Sequence, residues 1–113
     1  MVAFTLPAPN VAYGVYNVTI TNTAKTLQTL ITDAGYGNTI HDYAQHFMIL
    51  PEDGDVRWTD GSSVGEAAPT ATKGFLLSTG NELSIRADRT RLLAVKFIRT
   101  GGANVAASLW IGG

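Results

Sequence analysis

Apolar and polar residues alternate along much of this chain, as in β-strands that bury one face. In the segment 12–22 every second residue from Tyr16 to Ile20 is apolar, and the segment 104–111 repeats the pattern. Each predicts a strand with one face in the core. The segment 39–50, which ends in the continuous apolar run 47–50, predicts a further strand that enters the core. The pattern therefore indicates an all-β, antiparallel domain.

Turn-forming residues separate the predicted strands. The peptides 51–54 (Pro-Glu-Asp-Gly) and 79–81 (Thr-Gly-Asn) have the composition of β-turns. We therefore expect two hairpins, one between 47–50 and 55–59 and one over the second peptide. Gly101-Gly102 predicts a third turn, from which the last strand pairs back on the strand 92–100.

Residues 23–33 are ambiguous, because their leucines have helical spacing while three threonines oppose a helix. We expect a strand or strand pair broken near Lys25, with a short helical turn as the alternative. Six to eight strands at this spacing predict a β-sandwich or barrel. The expected core contains Val18, Ile20, Ile49, Val56, Trp58, Leu76, Ile85, Val95, Phe97 and Leu109.

The N-terminal residues 1–10 predict an extended arm, since their two prolines lack backbone donors and favour extended neighbours. Residues 11–113 then form one domain, because the whole chain of 113 residues has the size of a single domain. The arm could reach over a neighbouring subunit, and a partly ordered terminus is the alternative. The arm residues expected to contact a partner are Val2, Phe4, Leu6, Pro7 and Pro9.

The segment 60–73 is rich in small residues and has no period, so it predicts a long loop. Such loops are uncommon in compact domains and usually functional or mobile. It is the candidate contact loop, and its residues expected to contact a partner are Ser62, Ser63 and Val64.

Charge narrows the range of partners. Charged residues make up 15% of the chain and the formal net charge is -1, which gives no electrostatic basis for binding nucleic acid or a membrane. Small monomeric domains carry roughly 25–35% charged residues on their surface, so we expect self-association. No signal peptide or apolar span is visible, so a soluble protein is expected. Disulfides are excluded because the chain has no cysteine.

Catalytic and metal-binding patterns are weak. On a strand, the spacing of His41 and His46 would place them on opposite faces, where they cannot share a metal ion. A cupin-like metalloenzyme is the enzyme alternative, but its paired histidines are absent. Aspartates near the turns could bind calcium, although aspartate also starts turns through its own backbone. We expect no enzyme activity, no cofactor and no bound metal.

Two groups of residues could instead bind a partner. Trp110 lies on the less apolar face of the last strand and predicts an interface anchor. Arg86, Arg89 and Arg91 predict a solvated face or an ion-pair rim of a subunit interface, because acidic residues interrupt them. The alternative for the aromatic residues is a sugar-stacking platform, as in a carbohydrate-binding module.

The segments 74–85 (GFLLSTGNELSI) and 92–112 (LLAVKFIRTGGANVAASLWIG) resemble the small structural proteins of tailed bacteriophages. In those proteins a pattern G-x-x-L-x-x-G-E-x-x-x-I precedes a strand, a Gly-containing turn and a last alternating strand. The similarity covers about half of the chain, and Asn81 separates a Gly and a Glu that are adjacent in the usual form. The matching residues are Gly74, Leu77, Gly80, Glu82 and Ile85.

The resemblance implies a virion protein with a jelly-roll-like β-sandwich. Its expected role is capsid decoration (cement), or another accessory role in the phage head or tail. The implied partners are further copies of the chain, as a homotrimer, and the lattice of the major capsid protein. Such a protein is made in the host cytoplasm and ends on the capsid surface. A carbohydrate-binding β-sandwich module remains the rival function.

Overall fold

The computed structural model describes residues 12–61 and 67–113. The predicted arm and Ser62, Ser63 and Val64 lie outside these residues. The described part of the chain is mostly β, with eight strands in two antiparallel sheets and two short helices. The elements are β1 Ala12–Ile20, β2 Lys25–Thr26, α1 Leu27–Asp33, β3 His46–Pro51, β4 Val56–Thr59, β5 Phe75–Leu77, β6 Leu83–Arg86, α2 Arg89–Ala94, β7 Lys96–Arg99 and β8 Val105–Gly112.

Each sheet contains four strands. Sheet one has the order β1-β8-β3-β6, and sheet two has the order β2-β7-β4-β5. Every strand pair in both sheets is antiparallel. The predicted all-β, sandwich-like fold is therefore confirmed at this level.

The core lies between the sheets and is anchored by two phenylalanines. Phe47 on β3 and Phe97 on β7 are both fully buried, and their ring centroids are 6.1 Å apart at 90°. This edge-to-face arrangement suits the quadrupoles of aromatic rings. Because β3 belongs to sheet one and β7 to sheet two, the contact joins the two sheets.

The three predicted hairpins are wrong. β3 pairs with β6 and β8, whereas β4 pairs with β5 and β7, so the turn 51–54 carries the chain from one sheet to the other. The turn between β5 and β6 also connects the two sheets, and β8 pairs with β1 and β3 rather than with β7. Turn residues reverse the direction of the chain but do not determine which strands pair with each other. The pairing is determined by the burial of apolar faces between the two layers.

The expected strand in residues 23–33 is mostly helix. Thr26 caps α1 by accepting a hydrogen bond from the backbone N–H of Thr29, at 3.2 Å, so one of the threonines that opposed a helix starts it. The helix buries Leu27, Leu30 and Ile31. Helical spacing of these residues decided the conformation.

The expected strand 92–100 is also partly helical. Asp88 caps α2 by accepting from the backbone N–H of Arg91 at 2.9 Å, and β7 begins only at Lys96. A capping aspartate four residues before a leucine pair is a helix-start signal. Neither helix in the described ranges is long or apolar enough to cross a membrane.

The expected strand from residue 39 begins at His46, so His41 lies in a loop and the opposite-face argument does not apply to it. Arg89 holds this loop, because its guanidinium donates to the carbonyl oxygens of Ile40 at 3.0 Å and His41 at 3.2 Å. The His41 ring stacks on Tyr13 with centroids 3.9 Å apart. These contacts give both residues structural roles.

The predicted core is mostly confirmed. Leu76 is wrong, since it is 53% exposed on the outer face of sheet two, opposite Arg57. The run 75–77 is apolar throughout, so its sequence could not show which residue points inward. Trp58 and Ile85 are half-buried against the core. The correctly predicted buried residues are Val18, Ile20, Ile49, Val56, Val95, Phe97 and Leu109.

Replacing Phe97 with alanine should destabilise the domain by about 3–5 kcal/mol, because it removes the ring that joins the sheets and leaves a cavity. The matched control is Leu76→Ala, which removes an exposed side chain and should change stability by less than about 1 kcal/mol. Urea unfolding followed by tryptophan fluorescence measures both. Equal losses for the two variants would contradict the assigned core.

Candidate functional site

The outer face of sheet one carries an apolar row that a solvent-facing sheet normally lacks. Val15 on β1 lies opposite Trp110 on β8, and Trp110 lies opposite Met48 on β3. Val15 is 71% exposed, while the other two side chains are half-buried. An antiparallel sheet with one face in water usually places polar residues there. We call these three residues the apolar row.

A shallow groove of about 160 Å³ runs beside the apolar row. Leu50 extends its apolar lining by one further outward position on β3, and Ser108 faces Leu50 from β8. Glu82 supplies the charged group at its border. The groove is therefore an apolar surface with a polar margin, which is the composition of a protein contact site.

Gly112 sets the position of the Trp110 ring. A Cβ atom at residue 112 would overlap the six-membered ring of the indole, because the ring lies across the bare glycine two residues further along β8. Gly112 in turn lies opposite His46 on β3. The missing side chain lets the indole extend over the sheet toward His46 instead of projecting into solvent.

His46 forms the polar end of this surface. Its ring centroid is 5.1 Å from that of Trp110, edge to face. Its Nε2 is 2.7 Å from Ser84 Oγ on β6, and Arg86 Nη2 is 3.4 Å from its Nδ1. Since arginine can only donate, Nδ1 is the acceptor and Nε2–H donates to Ser84. The arrangement thus selects a neutral imidazole with its proton on Nε2.

The electrostatic surroundings agree with this neutral form. Burial beside Trp110 lowers the pKa of His46, and the positive charge of Arg86 lowers it further. The carboxylate of Glu82 acts in the opposite direction and offsets part of the decrease. Near neutral pH the surface therefore carries Arg86 as its cation, with His46 uncharged.

The structure brings only some of the predicted contact residues together. Trp110 and Arg86 lie on the same face of sheet one, with His46 between them. Arg89 binds the loop before β3, and Arg91 forms an ion pair with Asp60. The two latter arginines therefore serve contacts within the chain. Residues 2–9 and 62–64, which were assigned to partner contact, lie outside the described residues.

Sequence reasoning missed Val15, Met48 and Leu50. The exposure of Val15 could have been predicted from the sequence. The inward residues of its strand are Tyr16, Val18 and Ile20, and Val15 alternates with them, so its side chain points outward. Met48 and Leu50 lie in a continuous apolar run, where phase cannot be determined from the residue types.

Within residues 12–61 and 67–113, no group of three or more histidine, aspartate or glutamate side chains could hold a metal ion. The outer face of sheet one presents an aromatic side chain with aliphatic neighbours and one arginine at the margin.

Comparison of the chain with models of known protein families, with curated proteins and with solved structures found no match in any of the three.

Acidification should destabilise the domain through His46. Its pKa in the folded protein is lower than the ordinary value of 6.5, so the unfolded chain takes up the proton first as the pH falls. The stabilising contribution is complete above pH 6.5 and is lost as the pH decreases toward the folded pKa.

The measurement is the melting temperature between pH 8 and pH 5, for the unaltered chain and for His46→Gln. The glutamine variant should lose less of its melting temperature over this interval, because it has no imidazole to protonate. Parallel curves for the two proteins would contradict the assignment to His46.

Proposed function

We propose that this chain is a structural virion protein that decorates a bacteriophage capsid, binding the assembled shell as a homotrimer. The observation that carries the proposal is the apolar row of Val15, Trp110 and Met48 on the outer face of sheet one. Exposed apolar patches with a polar margin mark sites of protein contact. In a chain with 15% charged residues, such a face favours assembly over a monomer.

We further propose that the sandwich is a jelly roll. Support comes from the strand orders β1-β8-β3-β6 and β2-β7-β4-β5. They correspond to one long antiparallel hairpin, with the pairs β1·β8, β2·β7, β3·β6 and β4·β5, rolled into two layers. Jelly rolls occur among viral capsid proteins, lectins and cupins. The topology thus agrees with the function that the phage resemblance implies, although fold alone does not establish a function.

The subunit interface is assigned to the outer face of sheet one. Trp110 is the anchor, since tryptophan at the centre of an interface contributes most to binding. Arg86 lies one strand beyond His46 and supplies the rim. Arginine is enriched at interfaces because its planar group binds carboxylates and carbonyl oxygens in pairs.

Contact with the shell is assigned to the arm residues 2–9 and to the loop 60–73. The arm and residues 62–66 of the loop lie outside the described ranges, and the assignment rests on sequence composition. A capsid presents many identical sites, so a trimer with three modest contacts gains residence time, because each later contact is effectively intramolecular. Trimerisation and shell binding are thereby linked.

Size exclusion with light scattering should give three times the mass of one chain for the unaltered protein. Trp110→Ala should shift the population toward monomer, because it removes the anchor of the interface. The matched control is Leu76→Ala, which removes an exposed leucine on the outer face of sheet two and should leave the mass unchanged. A monomeric unaltered chain would exclude the trimer.

The proposal predicts that a major capsid protein is encoded beside this chain. Shell binding is measured separately, by co-sedimentation with empty expanded capsids assembled from that protein. The full chain should sediment with the capsids, and a chain without residues 1–10 should bind at least tenfold more weakly. Absence of the full chain from the capsid pellet would overturn the decoration function.

A further inference from the structure

A second concave surface opens where the two sheets end side by side. It lies between β5, the last strand of sheet two, and β6, the last strand of sheet one. We call it the edge cleft. Its volume is about 290 Å³, near the lower end of the range for small-molecule sites, which is roughly 300–1,000 Å³. The residues that matter for its chemistry are Trp58, Phe75, Asp60, Arg91 and Arg86.

One wall of the edge cleft is aromatic. Phe97, Trp58 and Phe75 lie opposite one another across β7, β4 and β5. Along this row the side chains go from fully buried at Phe97, through half-buried at Trp58, to 60% exposed at Phe75. The Trp58 and Phe75 rings are 5.0 Å apart with a tilt of 37°. The core thus extends outward as an aromatic surface that solvent reaches.

The loop before β5 is built to hold Phe75 in this position. The Arg57 guanidinium donates to the carbonyl oxygens of Ala71 at 3.2 Å and Gly74 at 2.9 Å. Gly74 has φ +117°, and a side chain there would press on the carbonyl oxygen of Trp58. Only glycine adopts this conformation without strain. The exposed phenylalanine is therefore held firmly against Trp58.

The other wall is polar. Asp60, at the end of β4, accepts hydrogen bonds from Arg91 Nε at 2.9 Å and Nη2 at 2.5 Å through its Oδ2 atom. A guanidinium has five N–H groups, and the Arg91 side chain is 56% exposed. It therefore keeps donors for a ligand while the carboxylate holds its plane. The opposite charges of the pair cancel, so this wall offers hydrogen bonds without a net charge.

We propose that the edge cleft binds a single pyranose ring of a saccharide. A pyranose has a face of C–H groups and a rim of hydroxyls. The C–H face fits the aromatic wall of Trp58 and Phe75, and the hydroxyls can accept from the remaining N–H groups of Arg91, which the Asp60 carboxylate orients. Volume limits the site to one ring. This is a function beyond capsid decoration and does not rest on it.

Arg86 makes the site selective among sugars. It borders the cleft from the edge strand β6, with its guanidinium 3.4 Å from His46 Nδ1 on the outer face of sheet one. It adds a positive charge that the Asp60–Arg91 pair does not cancel. A sugar that carries a carboxylate should therefore bind more tightly than its neutral counterpart, and salt should reduce the difference.

The chain has two tryptophans, so Trp110→Phe leaves Trp58 as the only one, and its emission reports on the cleft. The probes are the methyl pyranosides of glucose, galactose, mannose and N-acetylglucosamine, together with methyl glucuronide. At least one should change the emission saturably, with a Kd on the order of millimolar, and the glucuronide should bind more tightly than the glucoside.

In the same background, Phe75→Ala and Asp60→Asn should each weaken binding at least fivefold. Leu76→Ala is the control, since it removes the neighbouring exposed residue on the opposite face of β5 and should leave binding unchanged. Because Phe75 is exposed, the alanine variant should fold like the parent protein. Equal melting temperatures of the two proteins check this.

Two results would overturn the proposal. One is the absence of a saturable response to all five sugars. The other is a saturable response that Phe75→Ala and Asp60→Asn leave unchanged. Neither result bears on trimer formation or on capsid binding, which are measured through Trp110 and residues 1–10.

Discussion

The edge-to-face contact of Phe47 and Phe97 is the interaction on which the other features depend. Each ring is fully buried and comes from an inner strand of a different sheet. Because side chains alternate along a strand, turning Phe47 inward turns His46 and Met48 outward. The outward positions of β3 then meet Trp110 on the neighbouring β8. Burial in the core thus positions the β3 residue of the apolar row on the opposite face of the same strand.

Strict alternation is what made some of the fold predictable. In β1 and β8 every second residue is apolar, so the inward face of each strand followed from the sequence. Continuous apolar runs gave no such phase, and Leu76 was assigned to the core for that reason. Strand pairing was not predictable either, because the same turn residues can join two paired strands or two facing sheets.

The proposed contact surface was predictable only in part. The alternation along β8 predicts that Trp110 points outward, and contact of its side chain with a partner is the hypothesis drawn from this. The proximity of Arg86 to Trp110 depends on β6 and β8 both pairing with β3, with His46 between them. Such a relation is set by sheet order, which local sequence does not encode. The aromatic wall of the edge cleft was not predictable for the same reason. Phe75 is exposed because β5 is the edge strand of sheet two.

Arg86 links the two surfaces. Its guanidinium contacts His46 on the outer face of sheet one, and the residue borders the edge cleft because β6 is the edge strand of that sheet. When His46 takes up a proton, Nδ1 can no longer accept from Arg86 and the two cations repel each other. The contact between Arg86 and His46 therefore belongs to the neutral imidazole. Its loss on protonation adds to the effect of burial, and both lower the pKa of His46.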